Sequence, residues 1–432
     1  MGHAPKSITL GEEHRAGPEI RSLGSKASVV GVSGVALAAI LSFGGYMGGS
    51  PEHFLKSWLF AFLTILTICL GSLFFIMIQH ATKAGWSASI RRMAEHVASN
   101  LQWIWVLFVP FFFLVLLGDG GKVWHWMDPA HVDPIIEGKS GFLNVPFWTI
   151  RAVIYFVVFF AASKFFVGNS VAQDASGDPQ LTLKMQKWVP GFIVLFALSL
   201  TFAAFDWAMS LEAHWFSTMF GVNLLAMSFC GFFSLFCVMT FVVQRQGKML
   251  NEVTQEHWQD MGKLLFGLGI VFHAYIGFSQ YMLIWYANIP EETTWYLARV
   301  AGPWAPWMWF LVFGHFFVPF VLLLTKHTKR CKPVMTAIAV WMLLAHAVDV
   351  YLLIMPTVPA EALANASDWA DFAAGARSGS IDVGYQPQLT DLLLLIGFFG
   401  FLVSGICRSM TKAPLVAARD PRISEALAFE NM

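Results

Sequence analysis

The sequence predicts an all-α polytopic membrane protein with ten transmembrane helices, and three observations carry that reading. Only 12% of the 432 residues are charged, against roughly 25% in soluble domains. Hydrophobic residues make up 57% of the chain, and the mean hydropathy is +0.61. The apolar residues are gathered into long runs, and about 20 residues rising about 1.5 Å each cross a hydrocarbon core of about 30 Å.

The runs cover residues 28–47, 54–80, 101–118, 144–167, 188–210, 216–243, 261–287, 302–325, 333–355 and 389–407. A polar tail, residues 1–27, precedes the first. With Glu12, Glu13 and Glu19 it is too long and too acidic for a signal-peptide n-region, so a retained tail is expected. The third and eighth runs contain Pro110 and Pro319. Proline is tolerated in membrane helices, where neighbours and water re-satisfy the freed carbonyl. The fifth and sixth runs are joined by the hairpin "DWAMSLEAHWF", in which Trp207 and Trp215 are expected at interface depth. The ninth and tenth are separated by the longest loop, 356–388, which is acidic through Glu361, Asp368, Asp371 and Asp382. Its stretch "PAEALANASDWADFAAGA" predicts a short interfacial helix with Leu363, Trp369 and Phe372 inward. In the 119–143 connection, "VWHWMDPAHVDP" suits a headgroup-level belt. A tail of residues 408–432 completes a single membrane domain, 28–407.

Charge gives the orientation. Of the 27 Lys and Arg residues, 21 fall on the side holding both tails and the 81–100, 164–187, 244–263 and 326–332 connections. Five fall on the other side, and Arg151 lies within a run. By the positive-inside tendency both termini are cytoplasmic, and the 119–143, 211–215, 288–301 and 356–388 loops face outward. The five cysteines form no CxxC or CxxCH motif and read as small core residues. No nucleic-acid partner is expected.

Ionisable side chains within the bilayer are expensive, so each is a functional candidate. Counting from the midpoint of each run places His273, His315 and His346 within roughly 3 Å of the midplane. Arg151 and Asp349 then lie about 7 Å outward, Gln280 about 9 Å, and Asp206 and Asp391 about 10 Å. The cytoplasmic half shows no matching set, and Lys56, Lys164 and His80 lie near enough to an interface to snorkel. In "HAVD", His346 and Asp349 are i, i+3 on one helix face; in "HAYIGFSQ", His273 and Gln280 are i, i+7. The expectation is one shared outward pocket in which Arg151 pairs with Asp349, with Asp206 and Asp391 in the same network. Asp206, Glu212 and His214 step outward to water as a proton exit would. The same residues also suit polar glue between helices, satisfied packing histidines and, for Asp391, a charge favoured at a helix N-terminus.

"FDWAMSLEAHWFSTMFGVN", with "GSLFFIMIQHATKAGWSASIRRMAEHV", resembles the second quinone-binding (NrfD-like) membrane subunit of alternative complex III, a bacterial quinol:cytochrome c oxidoreductase. The resemblance extends over the whole chain, and its motif contains Asp206, Glu212 and His214. It implies two four-helix bundles plus two flanking helices in the bacterial inner membrane. It implies as partners a paralogous NrfD-like membrane subunit, iron–sulfur and multihaem cytochrome c subunits, and in some complexes a haem–copper oxidase. Haem c and iron–sulfur clusters would belong to those partners, with quinol oxidation in the paralogue. This chain would conduct protons or serve as scaffold, and the residues leave quinone binding here open. No catalytic centre and no metal are expected in the chain itself.

Two other readings stand beside this one: a secondary transporter with a midplane site, and a purely structural membrane anchor. Transporters favour Gly/Pro-broken helices in matching halves, and "GVSGVAL", "GLGIVFHAYIG" and "GFFGFLVSG" do not pair convincingly. A haem–copper oxidase catalytic subunit is disfavoured, since the chain has no adjacent His–His pair and no HPEVY-like stretch.

Overall fold

The second and sixth helices explain the rest of the architecture, because both are sheathed by other helices. They come from a computed structural model that describes residues 8–46, 50–356, 369–381, 384–385 and 387–431. The described residues are all-helical apart from turns, and nine helices are long and apolar enough to cross a membrane. These are Glu12–Phe43, Pro51–Ala81, Val145–Ser176, Gln180–Leu211, Phe220–Arg245, Gln255–Ala287, Gly302–Leu324, Lys332–Ile354 and Leu389–Lys412. A pair bent by 44°, Ala88–Gln102 and Ile104–Leu116, brings the number to ten if it is one span; counting it third, the spans are numbered below in chain order.

The second span packs on the third, fifth, sixth, ninth and tenth. At Gly71 its backbone lies so close to the sixth that a Cβ would run into the Ser228 carbonyl. The first span packs almost wholly on the tenth, and the fourth pairs with the fifth. Helix ends are set by local chemistry. Ser50 and Asn144 accept from His53 N and Phe147 N at the starts of the second and fourth spans. Gly177, at φ 69°, ends the fourth.

Several boundaries differ from the sequence reading. The third span begins at Ala88 rather than 101, because Arg91, Arg92 and Glu95 pair with one another and with distant acids and so can be buried. Pro110 falls in the first turn of a restarted helix, where no intrahelical N–H is needed. The fourth span runs to Ser176 and the fifth begins at Gln180, so the 164–187 connection is mostly helix.

In the 356–388 loop a helix does form, Trp369–Ser378, with Phe372 inward and 1% exposed. Leu363, Glu361, Asp368 and Asp382 lie outside the described residues. Trp124, Trp126, Trp207 and Trp215 are buried within the protein. Trp215 stacks on Trp295 at 4.7 Å. The N- and C-terminal segments meet on one side, where Leu415 N donates to the His14 carbonyl.

Candidate functional site

Two spans depart from α-helical winding where they carry a histidine. Leu265–Phe272 is π-helical and hands directly to His273, and Leu311–Phe317 is π-helical around His315. Such segments recur at functional sites because the extra residue per turn re-aims side chains. In the eighth span the cause is visible: Pro319 lacks the N–H that would have bonded the His315 carbonyl.

The two imidazoles stack, with centroids 4.3 Å apart and planes 7° from parallel. Both reach the ninth span. His273 Nε2 is 2.7 Å from Asp349 Oδ2, and His315 Nδ1 is 4.0 Å from the same oxygen. His315 Nε2 lies 3.3 Å from the Gly269 carbonyl, which assigns the proton to Nε2 and leaves Nδ1 as a lone pair. Nδ1 has no hydrogen-bond partner. One turn away, His346 contacts Thr67 Oγ1 at 3.1 Å and the Thr64 carbonyl at 3.4 Å through Nε2, and its Nδ1 is also unpartnered. Its ring fits only because position 231 is glycine: a Cβ there would sit 2.8 Å from Cδ2 and Nε2.

One ligand atom each from His273, His315 and Asp349 lies within 4.8 Å of the others, a spacing a metal ion could occupy. The ring geometry fits poorly. A metal lies near the plane of each imidazole that binds it, and stacked parallel rings have no point common to both planes. The His273–Asp349 contact is an ion-pair approach of 2.7 Å, and Asp349 Oδ2 has no hydrogen-bond partner.

Arg151 and Asp206 form a second, separate group. Arg151 Nε donates to Asp206 Oδ2 at 2.8 Å and Nη2 to Oδ1 at 2.7 Å. Tyr155 donates to Oδ2 at 2.7 Å, and the rings of Phe142 and Phe147 cover the guanidinium. The expected Arg151–Asp349 pair is therefore incorrect. The fourth and fifth spans form a hairpin, and the bidentate carboxylate lies on the adjoining helix while Asp349 serves the histidines.

Asp391 forms a third group. It accepts from Ser57 at 2.5 Å, from Tyr351 at 2.9 Å and from the Gln388 amide at 2.9 Å, and it lies 2.7 Å from His53 Nε2. The anticipated single pocket is thus three separate polar groups, of which those of Asp206 and Asp391 are satisfied by their own partners while the histidine group keeps unpartnered atoms. Gln280 is buried as a further polar residue of the seventh span. Sequence reading missed His53, Ser57, Tyr155 and Tyr351; the i, i+4 spacing of His53 and Ser57 on one helix face was the available signal.

Glu212 and His214 lie beyond the spans and do not continue from Asp206. His214 is exposed and pairs with Asp133 at 2.5 Å. Asp133 also caps Pro134–Gly138, and those backbone donors together with His214 hold its carboxyl below the usual range. Glu212 is pushed up by burial, with Arg299 and Lys56 opposing the shift. Arg299, pushed down to about 10 by burial, donates to the Leu352 and Leu353 carbonyls that end the ninth span.

Charged residues of the 81–100 and 164–187 connections and of the C-terminal tail come together as well. Arg91, Arg92, Glu95, Asp174 and Asp420 make a buried network. His80, expected to snorkel, is 2% exposed and stacks on Phe166. Lys164 is exposed, and Lys56 is half-buried.

No family model matches the chain, and no curated protein is significantly similar to it.

Proposed function

We propose that this chain is a membrane subunit of a bacterial quinol:cytochrome c oxidoreductase of the alternative complex III kind, and that it handles protons rather than electrons. It sits in the inner membrane with its basic side towards the cytoplasm, beside a paralogous membrane subunit and redox subunits that carry haem c and iron–sulfur clusters. The first and tenth spans are its flanking helices. The motif around Asp206 supports the family part of this reading.

The proton part rests on one observation: the unpartnered His315 Nδ1 faces Asp349 Oδ2, which is itself buried without a hydrogen-bond partner and lies 2.7 Å from His273 Nε2. A lone pair directed at a carboxylate oxygen is an electrostatic vacancy for a proton. A proton arriving at His315 Nδ1 makes an imidazolium beside Asp349, which the carboxylate stabilises. Two stacked imidazolium rings would repel at this separation, so the group carries one extra proton at a time. Loading His315 then favours release from His273.

The test uses the purified complex in proteoliposomes. Asp349→Asn lowers the number of protons moved per electron while haem and iron–sulfur content stay normal. Unchanged stoichiometry would assign the group to helix packing. A chain that purifies alone and carries a solute across the bilayer would favour the transporter reading.

A further inference from the structure

The network at the basic end contains more buried carboxylates than guanidinium groups. Arg91, Arg92 and Glu95 come from the buried helix Ala88–Ala98, Asp174 from the end of the fourth span, and Asp420 from the C-terminal segment. Their side chains are at most 7% exposed. Two cations therefore face three carboxylates, which leaves one surplus negative charge in a site with little water to solvate it.

The donors are shared unequally. Glu95 accepts from Arg91 Nε at 3.3 Å and the Ser170 hydroxyl at 2.9 Å, both on Oε1, while its Oε2 lies 3.2 Å from Arg92 Nη1 as an ion-pair contact without a hydrogen bond. Asp420 has Arg91 Nη2 and the Arg422 amide, the latter at 2.8 Å. Asp174 has Arg92 Nη2 at 2.5 Å on Oδ2, while its Oδ1 is buried without a partner. Asp174 also stands in the last turn of its helix, where the dipole disfavours a negative charge.

The other charged groups around it are already engaged. Arg419 is exposed and donates to the Ala175 carbonyl at 2.8 Å. Arg422 pairs with Glu425, and both nitrogens of His96 contact Ser409 and Pro414. Asp178 is exposed in the turn that follows. His80 is buried beside Arg91 and Asp420 with Nε2 unpartnered.

We propose that Asp174 holds an exchangeable proton at the basic end of the molecule, in a cluster that its protonation brings to neutrality. This adds a second proton station, far from the stacked histidines and of different chemistry: a carboxylic acid held between an arginine and a helix end. Its place in transport rests on the proton-handling reading above. Its occupancy does not.

Infrared difference spectroscopy of the full chain, titrated over about pH 5 to 8, reads the proton directly. The expected result is a carboxylic-acid carbonyl band that disappears in Asp174→Asn. The band also disappears in Asp420→Asn, where two carboxylates face two guanidinium groups and none needs a proton. Both substitutions keep an oxygen acceptor for arginine, and unchanged thermal unfolding confirms that each variant folds. A band that survives in Asp174→Asn, or its absence from the unsubstituted protein, overturns the assignment; survival in Asp420→Asn overturns the charge-surplus argument. None of these outcomes depends on turnover of Asp349 variants.

Discussion

His273 and His315 lie ring on ring, 4.3 Å apart, and both reach the same oxygen of Asp349. Shared proximity to one carboxylate makes them a single proton-binding unit. Glutamine at either position keeps a polar group in the space but cannot carry a proton near neutral pH. General acid–base groups contribute about 10²- to 10⁴-fold, so His273→Gln and His315→Gln should each slow proton release by about 10²-fold or more. The double variant should be little worse than either single one, because removing one member already disables the unit. Stopped-flow proton release, with complex yield as control, checks this; additive losses would indicate two independent sites.

Arg151 and Asp206 illustrate a different use of buried charge. Each guanidinium nitrogen donates at least once, both Asp206 oxygens accept, and aromatic rings cover the guanidinium, which is the arrangement of a structural pair. Removing one partner from such a pair costs about 3–5 kcal/mol, whereas replacing both by apolar groups is often close to neutral. Arg151→Leu should therefore lower thermal stability sharply in detergent, and adding Asp206→Leu should recover most of the loss. Retention of normal proton stoichiometry in the double variant would separate this pair from the histidine group.

Gly231 tests whether the position of His346 matters. An added Cβ would lie 2.8 Å from the imidazole and from Ile68, inside contact distance. Overpacking of this kind costs about 1–3 kcal/mol. Gly231→Ala should lower the melting temperature and weaken the His346 contact to Thr67. Thr67→Val, which removes that contact without adding bulk, should leave packing nearly intact and distinguishes the two effects.

These relationships mark where the sequence was readable. Hydropathy located the long apolar helices well because it depends on composition over some twenty residues. Depth counting ranked the polar residues along each run. It carried no information about which helices adjoin, and so Asp349 was matched with Arg151 although Asp206 lies on the neighbouring arm of the same hairpin. The burial of the segment "IRRMAEHVASN" escaped notice for a related reason: two arginines normally mark a solvated connection. Here their acids arrive from Asp174 and Asp420, 82 and 329 residues away in sequence from Arg92 and Arg91. Nothing local announces such partners. The π-helical segments were equally silent, apart from Pro319.

Glu212 provides a pH test outside the membrane spans. Burial raises its folded-state pKa above the ordinary value, with Arg299 and then Lys56 opposing the rise. A carboxyl whose pKa is raised by folding stabilises the fold while protonated, below its unfolded value near 4.5, and that contribution is lost as pH rises through the folded value. At neutral pH ionised Glu212 thus opposes folding, and Glu212→Gln should melt at a higher temperature than the unsubstituted protein. The difference should shrink as pH falls and vanish below about pH 4. Making Glu212→Gln in an Arg299→Met background, and comparing it with Arg299→Met alone, isolates the counter-charge, because the lost bonds to the Leu352 and Leu353 carbonyls are common to both arms. There the gap at neutral pH should widen. A gap that stays constant from acid to neutral pH would show that Glu212 is ionised at little cost and that solvent, not Arg299, sustains its charge.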